Sequence, residues 1–307
     1  MQYILDKRSG KKKYQCPGCG YQRTFTRYIH VETFEDLHDN VGICDRENNC
    51  SYHYTPKQFF MDNPERKSFQ AYSKQKKEVL PKRFDVLEKR FLELSLYNLN
   101  SNTNHFFAYL TGLFGEDKAR ETANMYQLGN SNKWPGANVF WYIDIEQQIR
   151  YGKIMLYNAE TGKRVKKPYS HIASVSDELI KKGQIKAFEK SICLFGEHIL
   201  RDRPGVPVAI VESEKTAIIM SVFSPKYIWL AVGGSGWLNV EKCKILKARK
   251  VVLFPDLGRC FDVWCEKAKD IRQVLALNIT VCNFLIEKVN EQDLREGFDL
   301  VDYFIIK

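Results

Sequence analysis

Apolar residues fall into three kinds of pattern along this 307-residue chain. In the last third they form short unbroken runs at 206–211, 227–232, 250–255 and 278–285. Stretches with helical spacing separate them, at 216–223, 238–246 and 261–275. Unbroken runs of that length are those of strands buried on both faces, and their alternation with helices predicts a parallel sheet with right-handed crossovers. In the middle, helical spacing places Phe84, Leu87, Phe91, Leu94 and Leu96 on one face. A second helix carries Phe106, Phe107, Tyr109, Leu110 and Leu113, entered from Ser101-Asn102-Thr103, and a third runs from Gly115 toward Met125. Strands follow at 139–143 and 149–157, with a turn at 158–164, so an antiparallel meander is expected over 138–166. Near the amino end, Gln22 to Ile29 alternates polar and apolar as a strand does.

These patterns predict an α/β protein in four segments. Residues 1–62 form a small amino-terminal unit and 63–82 a polar, basic linker. Residues 83–195 form a helical and antiparallel-β middle region, and 196–307 a domain built on a four-stranded parallel sheet. No apolar run approaches the ~18 residues of a membrane span. The amino terminus has no apolar signal core, so an intracellular, cytoplasmic protein is expected.

Charge changes the picture unevenly. The net charge is +10. Residues 1–27 hold seven cations (Lys7, Arg8, Lys11, Lys12, Lys13, Arg23 and Arg27) against Asp6 alone, and a second excess spans 66–90. Such patches attract phosphate backbones by counterion release, and equally serve as ordinary solvated surface.

The nine cysteines divide into two sets. Cys193, Cys243, Cys260, Cys265 and Cys282 are scattered among apolar residues as small core side chains. Cys16-Pro17-Gly18-Cys19 and Cys44 to Cys50 instead make two halves of a tetrahedral Zn²⁺ site, with His53 as an alternative to Cys50. A disulfide pair is the bland alternative, against which a reducing compartment argues. Arg23 and Arg27, among the aromatics of the intervening strand, suit a ribbon that tracks single-stranded nucleic acid; they suit equally the only core of a small domain.

Acidic residues mark the ends of the carboxyl-terminal strands. Val206 to Val211 leads into Glu212-Ser213-Glu214-Lys215, Val251 to Pro255 into Asp256, and Asp299 and Asp302 follow the last run. Working residues of open α/β sheets gather at the carboxyl ends of strands, where carboxylates hold hard cations such as Mg²⁺ or Mn²⁺; helix capping is the competing use. Lys163 and Arg164, with Lys166 and Lys167, are candidate phosphate contacts at the end of the meander or plain solvated charge.

At this point the residues resemble the TOPRIM domain of bacterial-type primases, topoisomerases and related nucleases. Val211-Glu212-Ser213-Glu214-Lys215-Thr216-Ala217 looks like its first element, Gly233-Gly234-Ser235-Gly236 its glycine loop, and Leu253-Phe254-Pro255-Asp256-Leu257-Gly258 its acidic motif. Gly297-Phe298-Asp299-Leu300-Val301-Asp302-Tyr303 is similar to the closing motif of primases. Residues 16–60 and 197–264 are also similar to an uncharacterised family of Bacteroidetes mobile elements that joins a zinc ribbon to a TOPRIM-like region. Gly258 departs from the pattern, which usually places a second Asp there.

The resemblance implies a Rossmannoid TOPRIM-like domain and a primase-like nucleotidyltransferase serving DNA replication in a mobile element or phage. Glu212 and Asp256 would be catalytic and would hold Mg²⁺ with Asp262, Asp299 and Asp302. Lys215 would meet a phosphate, and the zinc ribbon would bind single-stranded DNA. Nucleotides and a helicase are the implied further partners. The alternatives are a catalytically degenerate binding protein for nucleic acid or a replication or defence partner, and a TOPRIM nuclease.

Overall fold

The computed structural model describes residues 3–6, 13–31, 33–46, 50–64, 84–257, 259–288 and 299–306. Most of the expected linker, the first basic cluster, Gly258 and Gly297-Phe298 lie outside the described residues. The chain divides into two compact units, Met1–Pro81 and Lys82–Lys307.

The first unit is an antiparallel sheet in the order β1 (Tyr3–Leu5), β2 (Phe25–His30), β3 (Gly42–Cys44) and β4 (His53–Tyr54). Helix α1 (Pro56–Asp62) follows, started by a capping box in which the Thr55 hydroxyl accepts the Gln58 N–H and the Gln58 side chain accepts the Thr55 N–H. Phe25, Ile29, Val41 and Phe59 are buried with Cys16 and Cys44. A core this small cannot stabilise ~60 residues unaided, which is where a metal cross-link matters. The strand expected over 22–29 begins at Phe25, because Tyr21 to Arg23 turn the chain and Arg23 adopts φ 56°.

The second unit contains two four-stranded sheets. The antiparallel one runs in the order β5 (Gly129–Ser131), β6 (Ala137–Ile143), β7 (Ile149–Met155) and β8 (Ile172–Ser174). The parallel one is ordered β10-β9-β11-β12, with β9 Val208–Val211, β10 Ile228–Ala231, β11 Val251–Leu253 and β12 Ile279–Val281. Helices α2 (Lys89–Leu96), α3 (His105–Phe114) and α4 (Glu116–Met125) precede the antiparallel sheet, and α5 (Val175–Lys181) follows it. Helices α6 (Glu214–Phe223), α7 (Val240–Cys243) and α8 (Arg259–Leu275) connect the parallel strands, and α9 (Phe284–Lys288) and α10 (Leu300–Ile306) follow them.

Three expectations fail for identifiable reasons. The periodic stretch from Phe84 is helical only from Lys89, because the Leu87 N–H is taken by the Ile149 carbonyl at 2.9 Å. Leu94 on that helix is 72% exposed, so the helix is not the core element its spacing implied. The fourth apolar run is strand only to Val281; Phe284 and Leu285 already belong to α9.

One core joins the two sheets of the second unit, and a separate cluster of Leu87, Val139, Trp141, Ile143, Ile154 and Leu179 packs around the antiparallel sheet. In the joining core, Phe106, Phe107, Leu110, Phe140 and Tyr142 pack with Phe195, Ile210, Ile218, Trp229 and Leu253. Phe195 exchanges both backbone hydrogen bonds with Ala231 (2.9 and 3.1 Å), and the Tyr126 hydroxyl donates to the Trp229 carbonyl at 2.8 Å. The expected boundary at 195/196 thus runs through a continuous interior.

Candidate active site and zinc centre

The zinc centre is built by two turns. The Gly20 N–H reaches the Cys16 carbonyl at 2.9 Å, and the Gly18 N–H donates to the Cys16 sulfur at 3.3 Å. Gly18 lies so close to Tyr52 that an added Cβ would meet that ring at 2.7 Å. The four sulfurs of Cys16, Cys19, Cys44 and Cys50 all lie within 4.8 Å of one another, and all four are free thiols. Cys16 and Cys50 are 3.7 Å apart, and Cys19 and Cys44 3.9 Å. A tetrahedron with Zn–S bonds of ~2.3 Å requires sulfurs about 3.8 Å apart. The residues therefore fit a closed structural zinc site. His53 takes no part: its Nε2 lies 2.9 Å from the Tyr28 hydroxyl.

The two arginines of the ribbon differ. Arg27 is engaged internally, 3.0 Å from Asp36 and 2.8 Å from Asp39, with its guanidinium over the Tyr14 ring. Arg23 is exposed in the turn before β2.

In the second unit a cleft of about 710 Å³ opens at the carboxyl ends of the parallel strands. Glu212, Glu214, Asp256, Asp299 and Asp302 form its acidic lining; Lys153, Lys163, Arg164, Lys166 and Lys215 are also in the wall. Each is placed by a local cause. Glu212 follows β9 and Asp256 follows β11, and these strands are hydrogen-bonded neighbours with Leu253 opposite Ile210. Ser213 caps α6 by accepting the Thr216 N–H at 3.1 Å, so Glu212 leaves the strand just where the helix turns away. Asp299 and Asp302 exchange backbone-to-carboxylate hydrogen bonds of 3.0 Å at the start of α10. Asp299 also accepts the Thr216 hydroxyl at 3.2 Å and lies 3.8 Å from the Lys215 ammonium. Across the cleft, the Asn158–Lys163 turn presents Lys163 and Arg164. It is closed by the Asn158 carboxamide and by Gly162 at φ 61°, where any Cβ would strike Tyr109 at 2.3 Å.

Asp262 stands apart. It is exposed on α8 and does not line the cleft. Gly258, where the family pattern usually places a second Asp, lies outside the described residues.

Burial first, then the charges of Glu212 and Asp299, push the Asp256 carboxyl up to about 8, which Lys215 only partly opposes. Carboxylate oxygens of this kind are the donors that Mg²⁺ or Mn²⁺ takes. Among the described residues, however, the cysteine quartet is the one group of three or more His, Cys, Asp or Glu whose ligand atoms all converge within 4.8 Å. The thiol of Cys260 donates to Glu212 at 3.6 Å.

Two residues of the site, Glu214 and Lys153, were given no role by sequence reasoning. Glu214 is buried on the first turn of α6, accepting the Tyr142 hydroxyl and lying 2.9 Å from the Lys153 ammonium. Lys153 also donates to the Gly233 carbonyl at 3.0 Å. Gly233 has φ 87°, and a Cβ there would sit 2.2 Å from the Tyr142 hydroxyl. Antiparallel strands β6 and β7 are thereby fastened to the glycine loop after β10. The available signal was a lone Lys in the apolar strand Ile149–Met155.

Among solved structures, the chain is similar to the primase fragment of the bacteriophage T7 primase-helicase protein, at 13% identity and TM-score 0.36, covering 96% of this chain and 99% of that one. It is similar to the Aquifex aeolicus primase, zinc-binding and RNA polymerase domains, at 11% identity and TM-score 0.37, covering 95% of this chain and 79% of that one. A third likeness is to the RNA polymerase domain of Mycobacterium tuberculosis primase DnaG, at 11% identity and TM-score 0.42, over 68% and 80%. No curated protein matches. Residues 1–65 match the zinc beta-ribbon finger family, in agreement with the four-sulfur site. Residues 104–257 match a second family model, which covers α3, both sheets as far as β11, and Glu212, Lys215 and Asp256. The chain belongs to the family described as Domain of unknown function (DUF6371).

Proposed function

We propose that this protein is a primase-like nucleotidyltransferase of DNA replication, with a TOPRIM-like site in the second unit and a zinc ribbon that binds single-stranded DNA. The observation that carries the reading is the pairing of Glu212 and Asp256 at the ends of adjacent parallel strands, within the same cleft as Lys153, Lys163, Arg164 and Lys166. Glu212 and Asp256 would hold a divalent cation, with Asp299 and Asp302 behind them. Bound there, it supplies Lewis-acid charge to a nucleotide's phosphates. Lys163 and Arg164 neutralise and orient the same phosphates from the opposite wall, and Lys215 joins them on leaving Asp299. Replication of a mobile element or phage is the setting that the sequence resemblance favours.

The test is primer synthesis on single-stranded DNA with ribo- and deoxyribonucleoside triphosphates and Mg²⁺ or Mn²⁺. Extension products are expected from the wild type and none from Glu212→Gln or Asp256→Asn. Equal products from the variants would remove these carboxylates from the reaction.

A second reading, binding without catalysis, is favoured by the Lys215–Asp299 pair and by the absence of a converging carboxylate trio among the described residues. It predicts salt-sensitive retention of single-stranded DNA and no extension with either metal.

A further inference from the structure

Trp237 stands out from the other tryptophans. Trp134, Trp141 and Trp229 give their indole N–H to Tyr169, Ser95 and the Ser224 carbonyl, and Trp264 is fully buried. Trp237 is 39% exposed, and among the described residues its indole N–H has no hydrogen-bond partner and its ring no aromatic neighbour. Yet its backbone is fixed: its N–H donates to the Gly234 carbonyl at 2.9 Å, and its own carbonyl accepts the Asn239 amide at 3.4 Å. The ring lies beside the loop backbone, where a Cβ on Gly234 would be 3.9 Å away, and the Lys242 ammonium is 5.0 Å from its centroid. It lines the same cleft as Glu212, Asp256, Lys163 and Arg164. A large aromatic side chain on a hydrogen-bonded turn, partly exposed inside a polar cleft, offers a face on which a flat ring can stack.

We propose that Trp237 is the base-stacking platform of this cleft, taking the nucleobase of a nucleoside triphosphate whose phosphates lie between the carboxylates and the Lys163–Arg164 turn. The inference rests on the phosphate-site reading above and adds the part of the ligand that reading leaves unassigned. The cleft volume, about 710 Å³, lies within the range of sites that enclose whole small ligands. The platform is sequence-tolerant, because every base has a π face.

The experiment titrates the full-length protein, with Mg²⁺ present, against ATP and against inorganic tripolyphosphate, which carries the phosphates and no base. Stacking is expected to make ATP bind roughly 5- to 100-fold more tightly than tripolyphosphate. Trp237→Ala should abolish that preference and Trp237→Phe should keep much of it. ATP, and not tripolyphosphate, should quench indole emission in the wild type, and Trp237→Phe should lose the quench. That spectroscopic pair decides the matter even if the alanine variant folds poorly. Equal affinity for the two ligands, or a preference that survives Trp237→Ala, would overturn the platform and leave the phosphate site standing. Binding of neither ligand would remove the phosphate site and the platform together.

Discussion

Glu197 lies buried in the 3-10 turn Glu197–Leu200, where its carboxylate accepts the backbone N–H of Leu194 (3.2 Å) and of Ile145 (3.3 Å). Burial outweighs those hydrogen bonds, and Asp144 and Glu146 add repulsion, so its carboxyl is pushed up from 4.5 to about 7. The folded protein holds this proton more tightly than the unfolded chain does. The resulting stabilisation is complete below about pH 4.5 and is lost as pH rises through 7. Its ceiling is a few kcal/mol. Urea midpoints should therefore show the wild type losing stability relative to Glu197→Gln between pH 5 and pH 8; a constant gap would mean that Glu197 is already charged at pH 5. At this scale the sequence was legible only where spacing does the work. Four cysteines announce a tetrahedron because two short loops leave thiolates few other partners. Nothing local told Glu197 or Glu214 from surface acids, because their burial is created by strands 50–70 residues away in sequence, β6 and β7.

Helix α3 shows what one capping side chain does for an element. Asn104 is fully buried; it accepts the Phe107 N–H at 2.9 Å and donates to the Gly129 carbonyl and the Asn130 side chain, both at 3.1 Å. It starts the helix and ties it to β5 at once. Asn104→Ala should cost about 2–3 kcal/mol, the loss of a cap plus an acceptor left dry. Ser213→Ala, which removes the half-buried cap of α6, should cost about 1. Chemical denaturation of both variants checks the ranking, and equal costs would show that the bonds to β5 contribute nothing. The helix entrance was expected at 101–103, one residue early, since every residue from Asn100 to Asn104 is a plausible cap. Strands β5 and β8 went unseen: three residues each, and part polar, they are strands only because β6 and β7 offer them edges.

At the scale of the molecule, the division into two units separates two kinds of stability. The first unit depends on its metal, the second on a core of large apolar side chains. Cys16→Ser, or prolonged treatment with a strong zinc chelator, should unfold the first unit and leave the main melting transition of the second unmoved. Hydrogen exchange along the chain would locate the loss; protection vanishing beyond residue 82 as well would mean that the units are coupled. The parallel sheet was readable because its strands are apolar on both faces. Its union with the middle region was not, because no periodicity records which other layer a helix covers. That union also constrains heredity. Tyr142 and Lys153 come from the antiparallel sheet, Glu214 from helix α6 and Gly233 from the loop after β10, and their side chains and backbone interlock. A recombinant between two diverged relatives spliced near residue 195 would inherit the halves of this clasp from different parents. Crossovers that survive among relatives should cluster outside the interval from Tyr142 to Gly233, so that both halves of the clasp are inherited from one parent.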